Sequence, residues 1–118
     1  MPIAEPQQLD QAFRALADSN RRAIVARLTR GAASVTELAA PLGVSLPTVL
    51  EHLEVLQRGG LVRSEKVGRV RTCRLEPDPM RAVEHWIAEH RAIWERRLDL
   101  SGDVLDDAFP TAKGHCTK

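Results

Sequence analysis

Residues 34–60 read Ser34-Val35-Thr36-Glu37-Leu38-Ala39-Ala40-Pro41-Leu42-Gly43-Val44-Ser45-Leu46-Pro47-Thr48-Val49-Leu50-Glu51-His52-Leu53-Glu54-Val55-Leu56-Gln57-Arg58-Gly59-Gly60. Val35, Leu38, Ala39 and Leu42 recur at the spacing that places side chains on one face of a helix. Ser34 or Thr36 starts this helix, and Ser34 with Glu37 three residues on has the form of a capping box. Gly43 closes it after about two turns of 3.6 residues, and the apolar Val44 pins the turn to the core. Ser45 is a good N-cap for a second helix, and Pro47 sits in its first turn, where a missing N–H is tolerated. That helix directs Val49, Leu53 and Leu56 inward and ends at Gly59-Gly60, a usual C-terminal punctuation. A short helix, a turn and a longer helix in succession form a helix-turn-helix.

Upstream, Leu9, Ala12, Phe13 and Leu16 repeat the helical spacing. Asp18-Ser19-Asn20 interrupts them with residues that cap helix starts. A further helix follows, with Ala23, Ile24, Val25 and Leu28 as its apolar set and Gly31 at its end. Downstream, Leu61–Lys66 and Val70–Leu75 read as two strands joined at Val67-Gly68-Arg69, where Gly68 is free to take a positive φ. Asp78-Pro79 opens a last helix to about Leu98, with Val83, Trp86, Ile87, Ile93, Trp94 and Leu98 as a broad apolar stripe. The expected fold is mainly α with a small β-hairpin, in the order α-α-α-α-β-β-α: a winged helix-turn-helix of about five helices. Residues 1–108 read as one DNA-binding and dimerisation domain, and 109–118 as a flexible C-terminal tail.

A chain of 118 residues can bury one core. Its net charge of +1 conceals an uneven distribution. Arg58, Arg63, Lys66, Arg69, Arg71 and Arg74 face only Glu65 between positions 58 and 74, whereas Asp99, Asp103, Asp106 and Asp107 crowd the C-terminal part. A locally basic hairpin on a near-neutral protein suits a polyanion. No run approaches the roughly eighteen apolar residues of a membrane span, and the N-terminus lacks the pattern of a secretory signal, so the chain reads as cytoplasmic. There is no Gly-rich phosphate loop, no nucleophile elbow and no carboxylate pair beside an apolar His, which argues against an enzyme.

A helix-turn-helix presents the N-terminal end of its second helix to the major groove of double-stranded DNA. Here that end offers Ser45, Pro47, Thr48, Glu51 and His52. Thr48 suits a base edge or a thymine methyl, Glu51 a cytosine amino group, and His52 a phosphate or purine acceptor. Arg58, together with Lys66, Gly68, Arg69 and Arg71 around the hairpin tip, suits the sugar-phosphate rail or the minor groove.

The stretch Ala15–Leu75 resembles the ArsR-type winged-helix repressors. The resemblance is carried by Leu16-Ala17-Asp18-Ser19-Asn20-Arg21-Arg22, Val35-Thr36-Glu37-Leu38-Ala39, Val49-Leu50-Glu51-His52-Leu53-Glu54-Val55-Leu56, Gly60-Leu61-Val62 and Gly68-Arg69. It implies a homodimer held by the first and last helices, with Leu9, Phe13, Val83, Trp86, Ile87, His90, Trp94 and Leu98 at the interface. It implies a palindromic operator and repression of the chain's own or a neighbouring operon, in a bacterial, nucleoid-associated setting. The alternative for the two Trp residues is completion of the monomer core. The sequence departs from the family pattern at Leu50, where Ser is expected, and at Glu51, where a polar or basic residue is common; Glu54 adds a further acid.

Family members that sense metal carry paired cysteines in the helix equivalent to Val35–Leu42, and none stands there. His85 and His90 lie five residues apart, roughly 140° around a helix, and do not clamp one ion within a subunit. No metal or cofactor is expected. Cys73 reads as a small core residue, with a redox switch as the sharper alternative; His115 and Cys116 fall in the tail. Rival readings are a metal- or redox-responsive repressor of the same fold, and a winged-helix interaction module without DNA binding, which Glu51 and Glu54 favour.

Overall fold

Capping chemistry sets most element boundaries. In the computed structural model, which describes residues 6–101, the order is α1 (Pro6–Ala15), α2 (Ser19–Leu28), β1 (Ala33–Ser34), α3 (Val35–Leu42), α4 (Leu46–Arg58), β2 (Val62–Val67), β3 (Val70–Leu75) and α5 (Pro77–Ser101). Asp18 caps α2, its carboxylate accepting from the amides of Asn20 and Arg21. Ser34 and Glu37 form the expected reciprocal capping box on α3, at 3.2 and 2.8 Å. Gly43 ends α3 in the left-handed region at φ 67°. At the end of α4, Gly60 takes φ 74° while the amides of Gly60 and Leu61 bond the carbonyls of Gln57 and Leu56. This pairing is a Schellman motif, and it buries Leu61 against the core.

The core gathers the inward faces of α2, α3 and α4 against the sheet; Ile24, Leu38, Val49, Leu53, Leu56, Leu61 and Cys73 are fully buried. Each large aliphatic among them contributes on the order of 2 kcal/mol through burial. Helix α1 presents Ala12 and Ala15 to the end of α4. The approach is close because position 59 is glycine: a Cβ there would stand 3.0 Å from the Gln11 carbonyl oxygen and 3.2 Å from the Ala15 Cβ.

Three expectations are corrected. The sheet has three strands, in the order β1-β3-β2, because Ala33 and Ser34 pair with Cys73 and Thr72. Helix α5 begins at Pro77, which needs no amide partner at a helix start, so Asp78 lies inside the first turn and accepts from Arg81 at 2.7 Å. Ala23 is exposed rather than part of the inward face of α2.

The chain divides into two compact bodies, one ending at Glu84 and one beginning at His85, and α5 supplies residues to both. Among the described residues no helix is long and apolar enough to cross a membrane. The tail expected over 109–118, with His115 and Cys116, lies outside the described residues.

Candidate nucleic-acid interface

Helix α4 has a buried side and an exposed side set by its periodicity. Val49, Leu53 and Leu56 are buried, while Leu46, Leu50, Glu54 and Arg58, at successive i, i+4 positions, are exposed. At the leading end Ser45 Oγ accepts from the Thr48 amide and lies 3.0 Å from Thr48 Oγ. Ser45, Pro47 and Glu51 are exposed and Thr48 is half-buried. His52 turns away from this end: its Nδ1 is 3.4 Å from Arg21 Nη1. The same guanidinium donates to the carbonyls of Ala15 and Arg14 at the end of α1. The pair Arg21–His52 therefore ties α4 to the α1–α2 corner. At the trailing end Arg58 is held by Glu54 at 3.0 Å, so each partly cancels the other's charge.

The wing is the β2–β3 hairpin, closed by Gly68 and Arg69. Gly68 takes φ 63° at the first central position of a two-residue turn, and Arg69 does not share a positive φ; this is the glycine placement of a II′ hairpin. Register sorts the basic residues. Arg63 opposes Arg74, and both reach the Glu76 carboxylate, at 3.4 and 3.9 Å. Lys66 opposes Arg71 next to the turn. Among the described residues, Lys66, Arg69 and Arg71 make no ion pair. Arg71 instead donates to Ser64 Oγ at 3.1 Å, which also accepts from Gln57 of α4 at 3.0 Å. One hydroxyl accordingly couples the wing to α4.

A helix-turn-helix domain family matches residues 16–65. Over 97 residues the chain is 39% identical to the HTH-type transcriptional regulator Rv2034 of Mycobacterium tuberculosis, covering 82% of this chain and 88% of that protein. The crystal structure of an ArsR family transcriptional regulator aligns with a TM-score of 0.73 at 47% identity, over 80% of this chain and 97% of that one. The chain belongs to the ArsR family. ArsR regulators are winged helix-turn-helix proteins and not enzymes, so this chain is a transcriptional regulator of that fold. A possible ArsR-family regulator of Mycobacterium bovis, whose winged helix-turn-helix domain is homodimeric in solution, aligns with a TM-score of 0.59 at 26% identity, over 79% of this chain and 83% of that one.

For this ArsR-family chain, the residues expected at a dimer interface fall into different environments. Leu9 and Phe13 on α1 are half-buried. Val83 is only 8% exposed and already covered within its own chain. On the later part of α5, Trp86, Ile87, Ile93 and Trp94 are 43–51% exposed along one stripe, with His90 stacked on Trp86 at 4.0 Å and Leu98 half-buried. The tryptophans thus leave apolar surface uncovered. Among the described residues no group of three His, Cys, Asp or Glu side chains is placed to hold a metal ion; His85 pairs with Glu89 at 3.9 Å. Cys73 is fully buried, and burial pushes its thiol above the usual cysteine range.

Two features of the interface were not among the residues expected from sequence. Leu46 and Leu50 stand exposed beside the wing, although their i, i+3 spacing to Val49 and Leu53 by itself reads as core. The bridging role of Ser64 depended on strand register, which no local signal disclosed.

Proposed function

We propose that this regulator binds double-stranded DNA, with Ser45, Pro47, Thr48 and Glu51 at the leading end of α4 facing the major groove and Lys66, Arg69 and Arg71 on the flanking phosphates. The observation that carries the proposal is the sorting of charge on the wing. Arg63 and Arg74 share the single Glu76 carboxylate away from the turn, while the three cations near it have no acidic partner among the described residues and sit on a hairpin coupled to α4. A cation without an acid is available to displace counterions from phosphate. Arg58 and His52, engaged by Glu54 and Arg21, play a lesser part. Gly68 contributes the turn.

The regulator acts as a symmetric homodimer through the apolar stripe of α5, with Leu9 and Phe13 as a separate candidate surface on α1. The homodimeric state of the Mycobacterium bovis relative supports this reading. A two-fold dimer matches a palindromic operator with half-sites about one helical turn apart. In this reading the protein works in the bacterial cytoplasm, on the nucleoid, repressing its own or a neighbouring operon.

Gel-shift titration with the chain's upstream DNA and an unrelated duplex of equal length tests the proposal. Retention that is selective and weakened by salt supports it. Failure to bind at low salt refutes it in favour of an interaction module.

A further inference from the structure

The two leading leucines of α4 are not part of the core. Leu46 and Leu50 are 44 and 47% exposed, four residues apart along the edge of the face that buries Val49 and Leu53. They floor an open cleft of about 300 Å³ between the start of α3 and the wing. Val35 and Val70 add apolar surface, and Arg69 and Arg71 line the wing side. No carboxylate lines it; its remaining walls are the hydroxyl residues Ser34 and Thr36. An apolar floor beside two guanidinium groups fits a polyanion that carries an apolar patch. Duplex DNA has one such patch in its major groove, the 5-methyl group of thymine.

We infer that this cleft seats thymine methyl groups, so that Leu46 and Leu50 select the base while Arg69 and Arg71 hold the neighbouring phosphates. The inference rests on the DNA-binding proposal and adds its chemical specificity. Leucine can neither donate nor accept a hydrogen bond. Cytosine in the same place carries only hydrogen at C5 and leaves the apolar floor unfilled, so the 5-methyl group is what these leucines discriminate. The row ends in the Glu54–Arg58 pair, so the apolar reading surface is confined to the two leading turns.

The test uses the full chain and two versions of its upstream duplex, one ordinary and one with every thymine replaced by deoxyuridine. The replacement removes the methyl and keeps every hydrogen-bonding group. Each methyl seated should strengthen binding about fourfold, the value of burying one methyl-sized group, so the uracil duplex binds more weakly by at least that factor. Leu50→Ala, at an exposed position that leaves the core intact, should bring the thymine-to-uracil ratio toward unity. Arg69→Ala should weaken both duplexes alike and leave the ratio unchanged. Equal affinity for the two duplexes, with binding still selective and salt-sensitive, overturns the thymine reading and leaves DNA binding standing. Absence of binding to both overturns the two together.

Discussion

A methyl group at position 59 would press on backbone. The Gln11 carbonyl oxygen, the Ala12 Cα and the Ala15 Cβ all lie within 3.0–3.3 Å of where it would stand, and a helix cannot yield as a flexible side chain does. Gly59→Ala, although its φ of −75° is open to any residue, is expected to cost about 1–3 kcal/mol through overpacking, measured by urea denaturation. Asp18 and Glu37 set the acid response. Hydrogen bonds from the Arg21 and Ser34 amides, respectively, hold their carboxyls below the ordinary range. Groups depressed on folding lend stability above their unfolded pKa, and that stability disappears as pH falls through the folded value. Thermal melts from about pH 7 down to about pH 3 should therefore show a falling Tm, with a shallower fall in Asp18→Asn/Glu37→Gln. Equal slopes would contradict this. Cys73, buried and with its thiol pKa raised, should resist alkylation in native Cys116→Ser protein and react fully in denaturant. At this scale caps and glycines were legible in sequence because each acts on neighbours a few residues away. The environment of His52 was not, since Arg21 lies thirty-one positions earlier and arrives only by folding.

Elements follow from those caps, and their mutual placement follows from a few polar joints. The helix-turn-helix was readable from residues 34–60 because its two periodicities and its terminators are local. The two-residue strand β1 was not: two residues carry no period, and Ala33 and Ser34 become a strand only through Cys73 and Thr72. Ser34 thereby caps α3 and pairs with the wing strand at once, fixing the entry of the helix-turn-helix to the sheet. Ser64 makes the second joint, between Gln57 and Arg71. Because these hydrogen bonds are exposed, Ser64→Ala should cost under about 1 kcal/mol of stability and yet weaken DNA binding by loosening the wing. Denaturation and DNA titration on the same preparation check this, and a variant with unaltered affinity would show the joint to be idle. The turn residue Gly68 was predicted from its type, whereas the sorting of Arg63 and Arg74 away from Lys66 and Arg71 required the register.

For the whole molecule, the ArsR-family regulator combines a cationic wing with an apolar stripe on α5. The basic segment and the two tryptophans were visible as composition and spacing; which cations stay unpaired depended on Glu76 reaching both arginines. Trp94, 51% exposed, should anchor the dimer, so Trp94→Ala should shift sedimentation toward monomer at micromolar concentration, and an unchanged profile would place the interface elsewhere. If the unpaired wing cations and the front of α4 bind DNA together, affinity must depend on salt in proportion to the phosphates they contact. Wild type and Arg69→Ala are titrated against the upstream duplex between about 50 and about 200 mM salt, and with about three phosphates neutralised per half-site the wild-type slope of log K on log salt should lie near −5. Arg69→Ala, which removes one cation from each half, should be shallower by about 2. Parallel slopes, or binding indifferent to salt, would show that the wing cations do not meet the phosphates.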